Sequence, residues 1–291
     1  MTRIINNLAE VSSSYAALFV DVWGCLHDGL RPFPDAVRAL QRYREAGGKV
    51  VLMTNSPRPW PNVQRQLEEI GVPESCWDVI ATSGDSARMA MFHGVVGRNV
   101  YHIGPLHDLA FFNEMKLIDD ALDIRRVPLE EAEGIVCTGL FMDETDVPED
   151  YRAQLLYAKT GGLKLLCANP DIVVDRGERR VYCAGAVAAL YTEMGGECLY
   201  FGKPYPPIYD LAWRRLSSLG ASIPNDRVMA VGDGIQTDIK GALIAGIDSL
   251  FITGGLAAER TATKVHPDEG LLNALIESER ATPTFAIGFL R

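Results

Sequence analysis

The stretch Ala16-Ala17-Leu18-Phe19-Val20-Asp21-Val22-Trp23-Gly24 stays apolar for five residues and then stops on a carboxylate. Such a run is short for a buried helix but long enough for a strand enclosed on both faces, which puts Asp21 at a strand's carboxyl end. The pattern returns twice. Val50-Val51-Leu52-Met53 ends on Thr54-Asn55-Ser56, and Arg227-Val228-Met229-Ala230-Val231 ends on Gly232-Asp233. Helical patterns separate these runs. Val37, Leu40 and Tyr43 recur at three-residue spacing across 35–46, where Gly47-Gly48 stops them. Others fall at 62–70, 205–219 and 238–245. The alternation predicts an α/β fold with a Rossmann-like, mostly parallel sheet covered on both faces.

Polar groups that end strands of a parallel sheet gather at one edge, where ligands bind. Asp21, Thr54 and Asp233 come from the two ends of the chain, so one site assembles from distant segments. The middle restarts the alternation, with strand patterns at 99–103, 134–138 and 164–167 and helical ones at 106–112, 149–158 and 184–194. The expected organisation is a discontinuous core at 1–83 and 199–291 with an inserted α/β domain at 84–198.

Composition narrows the partners. The 291 residues are 47% hydrophobic and 23% charged, which suits a compact globule with disorder only at the extreme N-terminus. The net charge is -10 and the basic residues are scattered, whereas a nucleic-acid binder needs a concentrated positive surface. No apolar run reaches membrane-spanning length and the N-terminus carries no signal pattern, so the expected location is cytoplasmic. The six cysteines, Cys25, Cys76, Cys137, Cys167, Cys183 and Cys198, contain no CxxC pair and read as reduced core residues. Trp60, Trp77 and Trp213 read as core packing.

Each candidate for chemistry has a plainer alternative. Asp21 can be a nucleophile, a metal ligand or a solvated loop residue. Asp233 and Asp238, five residues apart across a glycine turn, can curl onto one ion, although Asp238 could equally cap a helix. An oxygen-only ligand set favours magnesium over zinc. Lys203, in Tyr200-Phe201-Gly202-Lys203-Pro204, can offset clustered carboxylates and a bound anion, or sit in solvent. Thr54 and Asn55 offer a hydroxyl and an amide to a phosphate oxygen, or simply form a turn.

In this order the pieces resemble the haloacid dehalogenase superfamily, dominated by phosphatases that act through an aspartyl-phosphate. Phe19-Val20-Asp21-Val22-Trp23-Gly24 is similar to its first motif, Met53-Thr54-Asn55-Ser56 to the second and Gly202-Lys203-Pro204 to the third. Val231-Gly232-Asp233-Gly234-Ile235-Gln236-Thr237-Asp238 is similar to the fourth, which is quite specific. The Thr-Asn pair, the long insertion, Asn169-Pro170-Asp171 and Ala184-Gly185-Ala186 resemble class IIA, the NagD-like branch with a large α/β cap. The resemblance covers nearly the whole chain.

The resemblance implies that Asp21 attacks phosphorus and that Thr54 and Lys203 hold the phosphoryl oxygens, with Asn55 nearby. It also implies Mg2+ held by Asp21, the Trp23 backbone carbonyl, Asp233 and, through water, Asp238. The implied partners are a small phosphorylated metabolite and, through the cap, a second copy of the chain.

One position departs. The phosphatase pattern has a second Asp two residues past the nucleophile, to protonate the leaving group and later activate water; this chain has Trp23. Indole cannot exchange that proton, and general acid–base help is typically worth about 10²–10⁴ in rate. Three expectations follow: restriction to phosphates whose leaving groups need no acid, proton supply from His27 or Asp28, or binding of a phosphorylated ligand with little turnover.

Overall fold

A computed structural model describes residues 2–115, 120–176, 179–220 and 222–291. The chain divides into two compact units, one comprising Met1–Thr54, Gln64–Ala81 and Lys203–Arg291, the other Asn55–Val63 and Thr82–Gly202. This division differs from the expected boundaries by grouping 55–63, 82–83 and 199–202 with the second unit. No helix among the described residues is long and apolar enough to cross a membrane.

The first unit holds a seven-stranded sheet among the described residues. Its order is Arg3–Ile4, Phe285–Ile287, Asp248–Ile252, Val228–Gly232, Ala17–Val20, Lys49–Thr54 and Val79–Thr82. Neighbours from Arg3–Ile4 through Lys49–Thr54 run parallel. Ala17–Val20 lies in the middle and all four residues are fully buried, as its unbroken apolar run requires. Phe19 packs edge-on against Trp213 of the helix Pro206–Ser217, with ring centroids 5.1 Å apart. Burying a side chain of this size contributes roughly 1.5–3 kcal/mol.

Two expectations fail here. The extreme N-terminus is not disordered from Arg3 onward: Arg3 and Ile4 pair with Phe285 and Ala286, and Ile5 is fully buried. The apolar side chains Ile4, Ile5 and Leu8 give this segment something to bury. Trp60 is 42% exposed at the first position of the helix Trp60–Ile70, where its N–H donates to Asp85, while Trp77 is buried.

The second unit has its own parallel sheet, ordered Glu197–Tyr200, Lys164–Cys167, Gly134–Cys137, Asn99–Ile103 and Arg125–Arg126. A hairpin pairs Val173–Arg176 with Arg179–Tyr182. The helical pattern at 106–112 is a 3-10 helix, Leu106–Phe112, tightened after Pro105 by bonds such as Asp108 N–H to the Pro105 carbonyl at 3.1 Å. Strand Glu197–Tyr200 has no counterpart in the sequence reading, because its apolar part, Cys198-Leu199-Tyr200, is only three residues long.

Candidate active site

Register explains why distant residues meet. Val20 pairs with Val231 on one side and Leu52 on the other, so Asp21, Asp233 and Thr54 emerge within two residues of one line at the sheet's carboxyl edge. The Asp21 N–H donates to the Val231 carbonyl at 2.8 Å, extending the ladder one residue beyond the strand and fixing the nucleophile candidate's backbone. Asp21, Thr54, Lys203, Asp233 and Asp238 are all more than nine-tenths buried.

Lys203 is the hub. Its ammonium donates to Asp21 Oδ1 and, at 2.7 Å, to Asp238 Oδ1. The surface-lysine alternative is thereby excluded. Asp238 is positioned by a widened turn at Ile235–Ile239: the N–H groups of Asp238 and Ile239 both donate to the Gly234 carbonyl, and the Asp238 carboxylate accepts from Gly234 N–H at 3.1 Å. Such π-type turns recur at functional sites because they swing one side chain off the regular helix face. A Cβ on Gly232 would collide with the Asp238 carboxylate, so glycine there admits that side chain.

Asp233 sits in a second glycine cradle. A Cβ on Gly24 or on Gly255 would collide with its carboxylate, and Gly24 also carries a positive φ of 79°. Leu256 N–H donates to Asp233 Oδ2 at 3.0 Å. Carboxylate oxygens of Asp21 and Asp233 lie within 4.8 Å of each other and of Cys25 Sγ. Cys25, expected as a reduced core cysteine, is free and buried, and it also lies at this edge, which only its position four residues after Asp21 could have signalled.

Burial sets the charges. Desolvation, the largest influence on Asp21, pushes its pKa well above the usual carboxylate range, with Lys203 pulling the other way. Desolvation also opposes the charge on Lys203, but Asp21 and Asp238 outweigh it and hold the ammonium protonated. Asp21 and Asp238 thus share one buried ammonium group, and Asp233 lies beside Asp21, so the site gathers more acidic groups than one cation can pair.

The loop after Asp21 turns its aromatic groups on itself. Trp23 is half-buried, meets His27 edge-on at 5.2 Å, and forms a backbone bridge with it. A Cβ on Gly29 would lie 2.5 Å from the indole Cζ2, so the ring covers that glycine. His27 is 1% exposed, its Nδ1 accepts from Gly29 N–H at 2.8 Å, and burial lowers its pKa to about 4. Asp28 is exposed and accepts from the N–H groups of Leu30 and Arg31, which hold its pKa below the usual value. A neutral imidazole and an ionised carboxylate are both poor proton donors near neutral pH. Expectation of a proton from either residue therefore finds no support in this loop.

Asn55 groups with the second unit, where its Nδ2 donates to Asp171 Oδ1 at 2.8 Å. That contact joins two segments singled out by sequence, Thr54-Asn55 and Asn169-Pro170-Asp171.

Comparisons with known proteins follow this geometry. The model of haloacid dehalogenase-like hydrolases matches residues 18–117, and a related HAD-hydrolase-like model matches residues 200–278. A crystal structure of a haloacid dehalogenase-like hydrolase from Brucella suis is 40% identical, covers 99% of this chain and 100% of that one, and superposes with a TM-score of 0.86. The chain belongs to the haloacid dehalogenase-like hydrolase family. Within that family, the glycerol phosphate phosphatase of Mycobacterium tuberculosis in complex with magnesium is 27% identical to this hydrolase, over 87% of this chain and 73% of that one, with a TM-score of 0.65. A solved structure bearing the nagD name shares the fold at 22% identity, covering 84% and 90% of the two chains with a TM-score of 0.64.

Proposed function

We propose that this hydrolase is a Mg2+-dependent phosphatase for a small phosphorylated metabolite, acting through Asp21 and restricted to phosphates whose leaving groups depart without a proton. One observation carries the reading: a buried Asp21–Lys203–Asp238 ion chain beside Asp233, with Trp23 packed onto Gly29 where an acid would be needed.

An Asp21 carboxylate oxygen bonds to phosphorus as the bond from phosphorus to the leaving oxygen breaks, and that oxygen keeps the electron pair. Water then attacks phosphorus, freeing inorganic phosphate and restoring the carboxylate. Lys203 holds Asp21 in place and, with Thr54, donates to the phosphoryl oxygens. A divalent cation fits the residues present: glycine cradles admit the Asp233 and Asp238 carboxylates, Asp21 and Asp233 bring oxygens within 4.8 Å of each other, and oxygen donors suit Mg2+. Asp21, the Trp23 carbonyl, Asp233 and, through water, Asp238 would hold it. When bound it supplies charge neutralisation between two anions. The magnesium complex of the glycerol phosphate phosphatase supports this part of the reading.

With Trp23 in place of that acid, acyl and aryl phosphates are the substrates of choice and alkyl phosphates are poor. Magnesium-dependent phosphate release from one acyl and one alkyl phosphate, by the wild type, Asp21→Asn and Trp23→Asp, tests this. The wild type should prefer the acyl phosphate by about 10² or more, the usual scale of an absent general acid. Equal rates would sink the leaving-group argument. Tight binding of a phosphorylated ligand with no turnover of any would favour a binding role, the reading that Trp23 also permits.

A further inference from the structure

One group at this edge has no part in the proposed reaction. Cys25 is 1% exposed, and its Sγ lies within 4.8 Å of carboxylate oxygens of both Asp21 and Asp233. It makes no hydrogen bond among the described residues, so an unpartnered thiol sits against two buried carboxylates. Mg2+ gains little from sulfur, being a hard ion that prefers oxygen. Zn2+ and Cd2+ differ, since thiolate and carboxylate together make a ligand set they bind strongly.

Oxidation is a poorer use for this cysteine. Reactive thiols are exposed and electropositive in surroundings. Here burial and the neighbouring carboxylates push the Cys25 thiol well above its ordinary range.

We propose that Cys25, Asp21 and Asp233 form a trap for a soft divalent cation such as Zn2+ or Cd2+, which displaces Mg2+ and holds the enzyme in an inhibited state. In forming the sulfur–metal bond the thiol gives its proton to solvent, and no group changes oxidation state. Inhibition follows because the trapped ion keeps out the Mg2+ that the proposed reaction uses. The inference rests on the cation site of the proposed function, and adds to it the identity of the inhibitory ion and the residue that selects it.

The test is titration of the full-length, chelator-treated protein with Cd2+, followed by the ultraviolet cadmium–thiolate band and by cadmium NMR, which reports a sulfur ligand in the wild type without any substitution. One equivalent should saturate the band, and excess Mg2+ should suppress it. Cys25→Ser and Cys25→Ala, checked for folding by circular dichroism, should lose the band and weaken Cd2+ binding by at least about 10–100-fold, the loss typical even of an outer-shell partner. Both variants should still bind Mg2+ by calorimetry. A band that survives in both variants, or a cadmium shift showing oxygen ligands only, overturns the proposal. Mg2+ binding with no Cd2+–sulfur contact overturns this inference alone, whereas binding of neither ion overturns the cation site itself.

Discussion

At the carboxyl edge of the seven-stranded sheet, the ionisable side chains of Asp21, Lys203 and Asp238 are buried and tied to one another. Two residues further along, Trp23 is half-buried and His27 fully so, and these uncharged rings are satisfied by aromatic packing and a glycine N–H. The first region keeps charge where solvation is poor, which is costly unless a reaction or an ion uses it. The second has given up titratable chemistry for packing. On the proposed reading, the contrast separates attack on phosphorus, which the first region serves, from proton transfer to the leaving group, which the second does not.

The comparison can be broken at either region. Asp21→Asn removes the attacking oxygen while keeping the shape, and phosphate release should fall by about 10⁴-fold or more. Retained turnover would move the nucleophile elsewhere. Lys203→Met leaves Asp21 and Asp238 uncompensated in a buried place, which should destabilise the fold by about 3–5 kcal/mol in urea unfolding. Adding Asp238→Asn should recover part of that loss, because one of the two stranded charges is removed.

Trp23→Asp exchanges packing for a proton donor. Alkyl-phosphate turnover should rise relative to acyl-phosphate turnover by up to about 10². An unchanged ratio would show that a carboxylate at this position does not reach the leaving oxygen.

The smallest effect concerns His27, whose pKa falls from 6.5 to about 4 on burial. In that window the unfolded chain binds the proton and the folded chain does not, so stability is complete above pH 6.5 and is lost as the pH falls toward 4. His27→Gln should shrink the acid loss by about 2 kcal/mol, measured as the difference in urea midpoints at neutral and acid pH. His102, lowered to about 4 in the same way, keeps some acid sensitivity in the variant.

Much of the sheet edge was legible because strand burial writes itself into sequence. Four-residue apolar runs ending on Asp21, Thr54 and Asp233 mark a parallel sheet, and register then places those ends together. Lys203 was harder, since nothing local distinguishes a buried lysine from a solvated one; only the partners Asp21 and Asp238, far off in sequence, decide it. Cys25 was missed for a related reason. An apolar neighbourhood suits a core cysteine, and proximity to Asp233 arises from folding across more than two hundred residues. Short strands such as Arg3–Ile4 and Glu197–Tyr200 lacked the alternation or apolar run that periodicity needs. The direction of the Trp23 ring depends on the positive φ of Gly29, 90°, and on the loop's closure by Phe33 N–H to the Leu26 carbonyl, none of which a residue string displays.

The central claim is that Asp21 captures the phosphoryl group while position 23, with indole where the family pattern has a carboxylate, does not activate water to release it. Rapid-mixing kinetics with an aryl phosphate tests this most directly, reading the freed phenolate at enzyme concentrations high enough to see one turnover. The account predicts a burst close to one equivalent per chain followed by a slow steady state, with phosphate trapped on Asp21 and no burst in Asp21→Asn. Linear release without a burst, matched by phosphate release from the first turnover, would contradict it.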